Sequence, residues 1–124
     1  MGKTTKDLQH LTVDELVRRF LELGLAQDES LLSGETRKHI RQIYAMRDVE
    51  WELKARPGDQ RRALVALYGH RNAQVRVKAF TSTLAVESTA LQRLEELAVS
   101  GEHPQAGEAA SRVRNIANGV FRPD

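Results

Sequence analysis

No cysteine occurs in the 124 residues, which excludes disulfides, thiol catalysis and cysteine-ligated zinc or iron–sulfur centres. No apolar run approaches the roughly 18 residues that a membrane-spanning helix needs. The opening decapeptide MGKTTKDLQH has two lysines but no apolar stretch behind them, so it does not read as a secretory signal. A cytoplasmic protein is the expectation. Motifs that organise chemistry are also missing. There is no HExxH, no nucleophile elbow and no dinucleotide fingerprint, and Gly2-Lys3-Thr4-Thr5 lacks the upstream glycine and the strand of a phosphate loop. The four histidines, His10, His39, His70 and His103, never pair at ligand spacing; His70 with His103 on neighbouring turns is the nearest approach to a metal site. Among the carboxylates, Glu50 and Glu52 around Trp51 are the best placed for acid–base work, and such work needs burial to shift their pKa values. The expectation is a protein without enzymatic activity, metal or cofactor.

With 40% hydrophobic and 29% charged residues, the composition is that of a globular chain long enough for one core. Its formal charge of +2 is unevenly spread. Residues 1–36 carry four basic and seven acidic side chains, residues 37–78 eleven and four, and residues 79–124 four and six. A basic middle third thus lies between two mildly acidic flanks.

No segment shows strand alternation, and helix signals follow one another along the chain. Residues 1–10 have no structural period and read as a poorly ordered tail. Thr12-Val13-Asp14-Glu15 is a capping box opening a first helix. Its apolar stripe is Val13, Leu16, Val17, Phe20, Leu23 and Leu31, with Gly24 marking either a close approach or a bend. Ser33-Gly34 ends it. The second helix, Glu35 to Arg56, is apolar on two faces: Ile40, Ile43, Tyr44 and Trp51 on one, Met46, Val49 and Leu53 on the other. That pattern predicts a helix packed between two neighbours, with Tyr44 and Trp51 as core filler. Pro57-Gly58-Asp59 stops it.

The third helix, Gln60 to Tyr68, leads through the turn Gly69-His70-Arg71-Asn72 into a fourth that is again apolar on two sides: Val75, Ala79, Ser82 and Val86 against Val77, Phe80 and Leu84. A fifth helix follows Ser88 and turns Leu91, Leu94, Leu97 and Ala98 inward. The sixth, Gln105 to Gly119, faces Ala106, Ala109, Ala110, Val113, Ile116, Ala117 and Val120 in, with Phe121 folding back behind it. Offset by 30 residues, Leu64 falls on Leu94, Leu67 on Leu97 and Tyr68 on Ala98. Helical hairpins repeated in this way stack to bury faces that neither could bury alone.

The run Leu64-x-x-Leu67…His70-Arg71-Asn72…Val75-Arg76…Ala79…Leu84 resembles a HEAT repeat, whose second helix commonly begins with a Val-Arg pair. Two units over 59–120 fit, although Gly107 takes the arginine's place in the second. Asp14-Glu15-Leu16-Val17, Gly58-Asp59-Gln60-Arg61-Arg62-Ala63-Leu64 and Gly101-Glu102-His103-Pro104-Gln105-Ala106 extend the resemblance to a small bacterial family of uncharacterised HEAT/armadillo-like proteins. The resemblance implies a fold and no activity. The expected architecture is all-α: a right-handed superhelix of about six helices forming one domain over 11–124.

For function, the cations of the middle third are the candidates. Arg37, Lys38, Arg41, Arg47, Lys54, Arg61, Arg62, Arg71, Arg76 and Lys78 are able to form a stripe along the turns. The binding set chosen from it is Arg37, Arg41, Arg61, Arg62, Arg71 and Arg76, with His70. In the resemblance Arg76 instead ties neighbouring units together. The leading reading is an adaptor for a protein or peptide, with an acidic partner; an immunity-type inhibitor of a toxin is one form of it by analogy. The alternative is nucleic-acid binding through the stripe. HEAT-like DNA glycosylases bind DNA in this way, but they are longer and their catalytic pattern is absent. The chain is expected to be a monomer or a homodimer joined through its first two helices.

Overall fold

Thr12 begins the first long helix as its sequence dictates. Its Oγ1 accepts from Glu15 N at 3.1 Å while Glu15 Oε1 accepts from Thr12 N at 2.8 Å, closing the capping box. The computed structural model describes residues 5–124, with side chains from residue 7 onward. The described residues form helices α1 (Thr5–Leu8), α2 (Val13–Ser33), α3 (Thr36–Ala55), a 3-10 helix (Gln60–Leu67), α4 (Ala73–Ser82), α5 (Ala90–Ala98) and α6 (Gln105–Ala117), and no strand. The fold is all-α. Cα proximity divides the chain into two compact units, 1–63 and 64–124.

In the first unit α2 runs unbroken through the buried Gly24 and ends at Gly34, whose φ of 74° lies in the left-handed region that glycine adopts without cost. The two-residue connection folds α3 back antiparallel. Ser30 Oγ lies 2.9 Å from His39 Nδ1 and donates to Gln42 Oε1 at 2.8 Å, and Gln27 Nε2 reaches Gln42 O at 3.3 Å and Met46 Sδ at 3.5 Å. Steps down α2 thus match steps up α3. The buried face of α2 is Leu16, Phe20, Gly24, Gln27 and Ser30. Leu31, expected on that face, is exposed, because the buried line passes through Gln27 and Ser30, whose polar groups α3 satisfies.

The tail expected over 1–10 needs correction where the structure describes it; residues 1–4 lie outside the described residues. Leu8 is buried, and Arg56 Nη2 donates to Leu8 O at 3.2 Å and Leu11 O at 2.7 Å. Arg56 Nε donates to the buried Glu52 carboxylate at 2.6 Å. The arginine that ends α3 thus fixes the approach to α2.

The second unit is built on Val77 and Phe80 of α4, Leu94 and Leu97 of α5 and Ala109 of α6, with Tyr68, Leu84, Ala98 and Val113 packed around them. Asn72 caps α4, its Oδ1 accepting from Gln74 N at 2.9 Å and Val75 N at 3.1 Å. Helix α4 buries Val75 and Ala79 as well as Val77 and Phe80, so its two-sided apolar pattern is matched by burial on both sides. The segment Gln60–Leu67 is a 3-10 helix, and α4 ends at Ser82, four residues short of Val86. Leu91 and Val120 are exposed, unlike the inward positions expected for them. No helix of the described residues is long and apolar enough to cross a membrane.

Candidate docking surface

The cations of the middle third do not share one environment. Arg61 is buried, with its guanidinium on Asp59 through Nε–Oδ1 at 3.0 Å and Nη2–Oδ2 at 2.7 Å, so it holds the chain end of the first unit instead of facing a partner. Arg76 reaches from α4 to Glu102 at 2.7 Å, and Lys78 reaches Glu108 at 2.9 Å. These two pairs tie α4 to the α6 end of its own unit. Arg62 and Arg71 are exposed. His70 is half-buried in its turn, where Nδ1 accepts from Asn72 N at 3.0 Å. Of the chosen set only Arg37 and Arg41, one turn apart on α3, are placed side by side on an open surface. With Lys38, Gly34, Glu35 and Thr36 they line a shallow depression of about 450 Å³.

The rest of that surface was legible as a pattern and misread as a location. Ile40, Ile43, Tyr44 and Trp51, expected to pack between neighbours, are 47%, 38%, 53% and 49% exposed. Met46, Val49, Glu52 and Leu53 are the residues of α3 that are buried. Helix α3 therefore has one apolar face inside and a second outside. At the centre of the outer face is Arg47, whose guanidinium carbon lies 4.6 Å from the ring centroids of both Tyr44 and Trp51. The arginine is the signal that separates the two faces: a cation in the middle of an apolar row marks a solvent-facing row. The outer surface thus carries aromatic and branched aliphatic side chains interleaved with Arg37, Arg41 and Arg47, and Asp48 is half-buried at its edge.

In the second unit a cleft of about 190 Å³ is lined by Tyr68, Arg76, Phe80, Arg93, Glu96, Leu97, Ser100 and Glu102. Its charges pair with one another, Arg76 with Glu102 at 2.7 Å and Arg93 with Glu96 at 3.8 Å. Arg76 holds the Glu102 carboxyl below the usual range, and burial pushes the Tyr68 phenol up.

The bonds from Arg61 hold the Asp59 carboxyl below its usual range. The folded chain therefore binds fewer protons here than the unfolded chain does, so the contribution is full above about pH 4 and fades as pH falls through the folded-state value. Asp59→Asn is the substitution to use, because φ at this position is 50°, a conformation that Asn tolerates. Its urea midpoint is expected to lie below that of the wild type at pH 6. The gap should narrow below about pH 4, and a gap independent of pH would show that the ion pair is not its source.

The family described as "Domain of unknown function (DUF2019)" matches residues 14–117. The chain belongs to this family. The DUF2019 match takes in α2 through α6, and with them both the outer face of α3 and the charged cleft of the second unit. Among solved structures the chain is similar to the protein RPA1889 from Rhodopseudomonas palustris CGA009, known from a crystal structure, at 38% identity and a TM-score of 0.92 over 95% of this chain and 98% of that one. No curated protein matches.

Proposed function

We propose that this DUF2019 chain is a non-enzymatic helical-repeat adaptor of the cytoplasm that binds an acidic protein, and that α3 is the element it binds with. The observation that carries the reading is the outer row Ile40, Ile43, Tyr44 and Trp51, between 38% and 53% exposed where the sequence places residues fit for a core. Covering four such side chains is worth roughly 1 kcal/mol each, which falls at the low end of the association cost of about 4–15 kcal/mol. Apolar contact alone therefore gives weak binding, and the three arginines must find opposite charges. Two features support a role without catalysis: the charges in the second unit's cleft are paired with one another, and Arg61 and Arg76 are spent on structure.

Nucleic-acid binding would use the same cations, with bases stacked on Tyr44 and Trp51. It is the weaker reading because Arg47 already lies over both rings, and a base would have to displace it from each. Ile40 and Ile43 also offer nothing to a phosphate.

The test is retention from host lysate by the immobilised chain and by its Tyr44→Ala/Trp51→Ala variant, which should fold normally since both side chains are half exposed. The wild type is expected to retain an acidic protein that the variant loses at least about tenfold. Equal retention by both would remove α3 from the reading. Retention of nucleic acid that falls steeply with salt would favour the alternative.

A further inference from the structure

We infer that the occupant of the α3 face is an acidic amphipathic α-helix of another protein. This rests on the proposal that α3 is the docking element and specifies what docks there. The first reason is hydrogen bonding. The middle of α3 has its backbone N–H and C=O groups committed to its own ladder, and among the described residues there is no strand whose edge could be extended. A segment laid on α3 gains no backbone partners from it and must satisfy its own, which a helix does. The second reason is spacing. Ile40, Tyr44, Arg47 and Trp51 stand at i, i+4, i+7 and i+11, a ridge of about 16 Å at 1.5 Å per residue, to be met by roughly three turns of a partner helix. The third is charge. Arg37, Arg41 and Arg47 outnumber Asp48, so carboxylates flanking the partner's apolar stripe meet opposite charges. A guanidinium stacked on rings still has its N–H edge to offer a carboxylate.

The chain's own α2 is the nearest rival, because its outer face carries Glu22, Leu25, Glu29 and Leu32, all exposed. A second copy fits less well. An isologous pairing of α3 faces would set the same excess of cations against itself. The outer faces of α2 and α3 point away from each other across one hairpin, so α3 on a second copy's α2 is a head-to-tail contact that two copies cannot close.

Trp51 is the only tryptophan and lies on the face, so its emission reports occupancy directly. The probe is a synthetic peptide of about 15 residues with leucines at i, i+4, i+7 and i+11 and glutamates beside them. A scrambled peptide of the same composition is the control. The amphipathic peptide is expected to shift Trp51 emission saturably, with a Kd of about 10–100 µM at low salt, and to gain helical circular dichroism on binding. Arg41→Glu, at an exposed position, should weaken it at least about tenfold. An equal response to the scrambled peptide would overturn the helix while leaving an acidic protein partner standing. No response to either peptide would overturn the inference, and the lysate comparison then decides the broader reading separately. Light scattering that showed oligomers dissolved by Arg41→Glu would overturn it in favour of a second copy.

Discussion

Replacing Phe80 with alanine is expected to cost about 4 kcal/mol of folding free energy, toward the upper half of the usual range for a buried phenylalanine. Phe80 is 3% exposed and sits among Val77, Leu94, Leu97 and Ala109, drawn from three helices. Tyr68 meets it edge-on, with centroids 4.8 Å apart and the rings at 85°, an arrangement worth about 1 kcal/mol beyond its buried area. What keeps the cost high is that the hole cannot close easily. The Tyr68 hydroxyl is bonded to Thr83 Oγ1, and Thr83 donates on to Ala79 O at 2.8 Å, so the ring best placed to swing into the space is tethered. The check is urea unfolding followed by circular dichroism, since the tryptophan lies in the other unit and on the surface. The midpoint should fall with an unchanged slope. Phe80→Leu, which refills most of the volume, should cost no more than about 1.5 kcal/mol. A similar loss from both variants would mean that the aromatic contact, and not the cavity, sets the cost.

Local signals in the sequence were reliable because each rests on chemistry within four residues. Thr12 with Glu15, Gly34 and Asn72 all do what their side chains, or the lack of one, suit them to do. Two-sided burial of α4 was legible because apolar side chains dominate both of its faces, with Ser82 the one polar residue in the two rows. The first hairpin was harder. Its buried line uses Gln27 and Ser30, which become acceptable inside only because His39, Gln42 and Met46 arrive from a helix 9 to 19 residues away. Periodicity alone passed over Ser30 and selected Leu31. The same limit hid the docking surface. Periodicity identifies a row of apolar side chains on α3, but not whether the chain itself covers that row. Arg47, centred in the row, was the one local clue. Arg61 shows the converse: as a letter it is a cation like Arg37 and Arg41, and its placement on Asp59 turns it into a structural tie, whereas for Arg76 the resemblance already implied a tie and the structure supplies Glu102 as its partner.

Arg56→Met is expected to cost about 3 kcal/mol, although the residue lies just beyond the last turn of a helix, where substitutions are usually mild. Two losses combine. The Glu52 carboxylate, 6% exposed, gives up a partner 2.6 Å away and is left as a charge with little water around it. The carbonyls of Leu8 and Leu11 lose the guanidinium that bonds to both, which releases the segment that seats Leu8 in the core. The two contributions separate in the double variant Glu52→Leu/Arg56→Met. Removing both charges cancels the first penalty and leaves the second, so roughly half of the lost stability should return. Amide exchange gives an independent reading. Protection at Leu11, whose N–H donates to Leu8 O at 3.0 Å, should fall in both variants, because neither restores the donor that holds this turn. If the double variant recovered protection there, burial of Leu8 and not Arg56 would be what anchors the entry to α2.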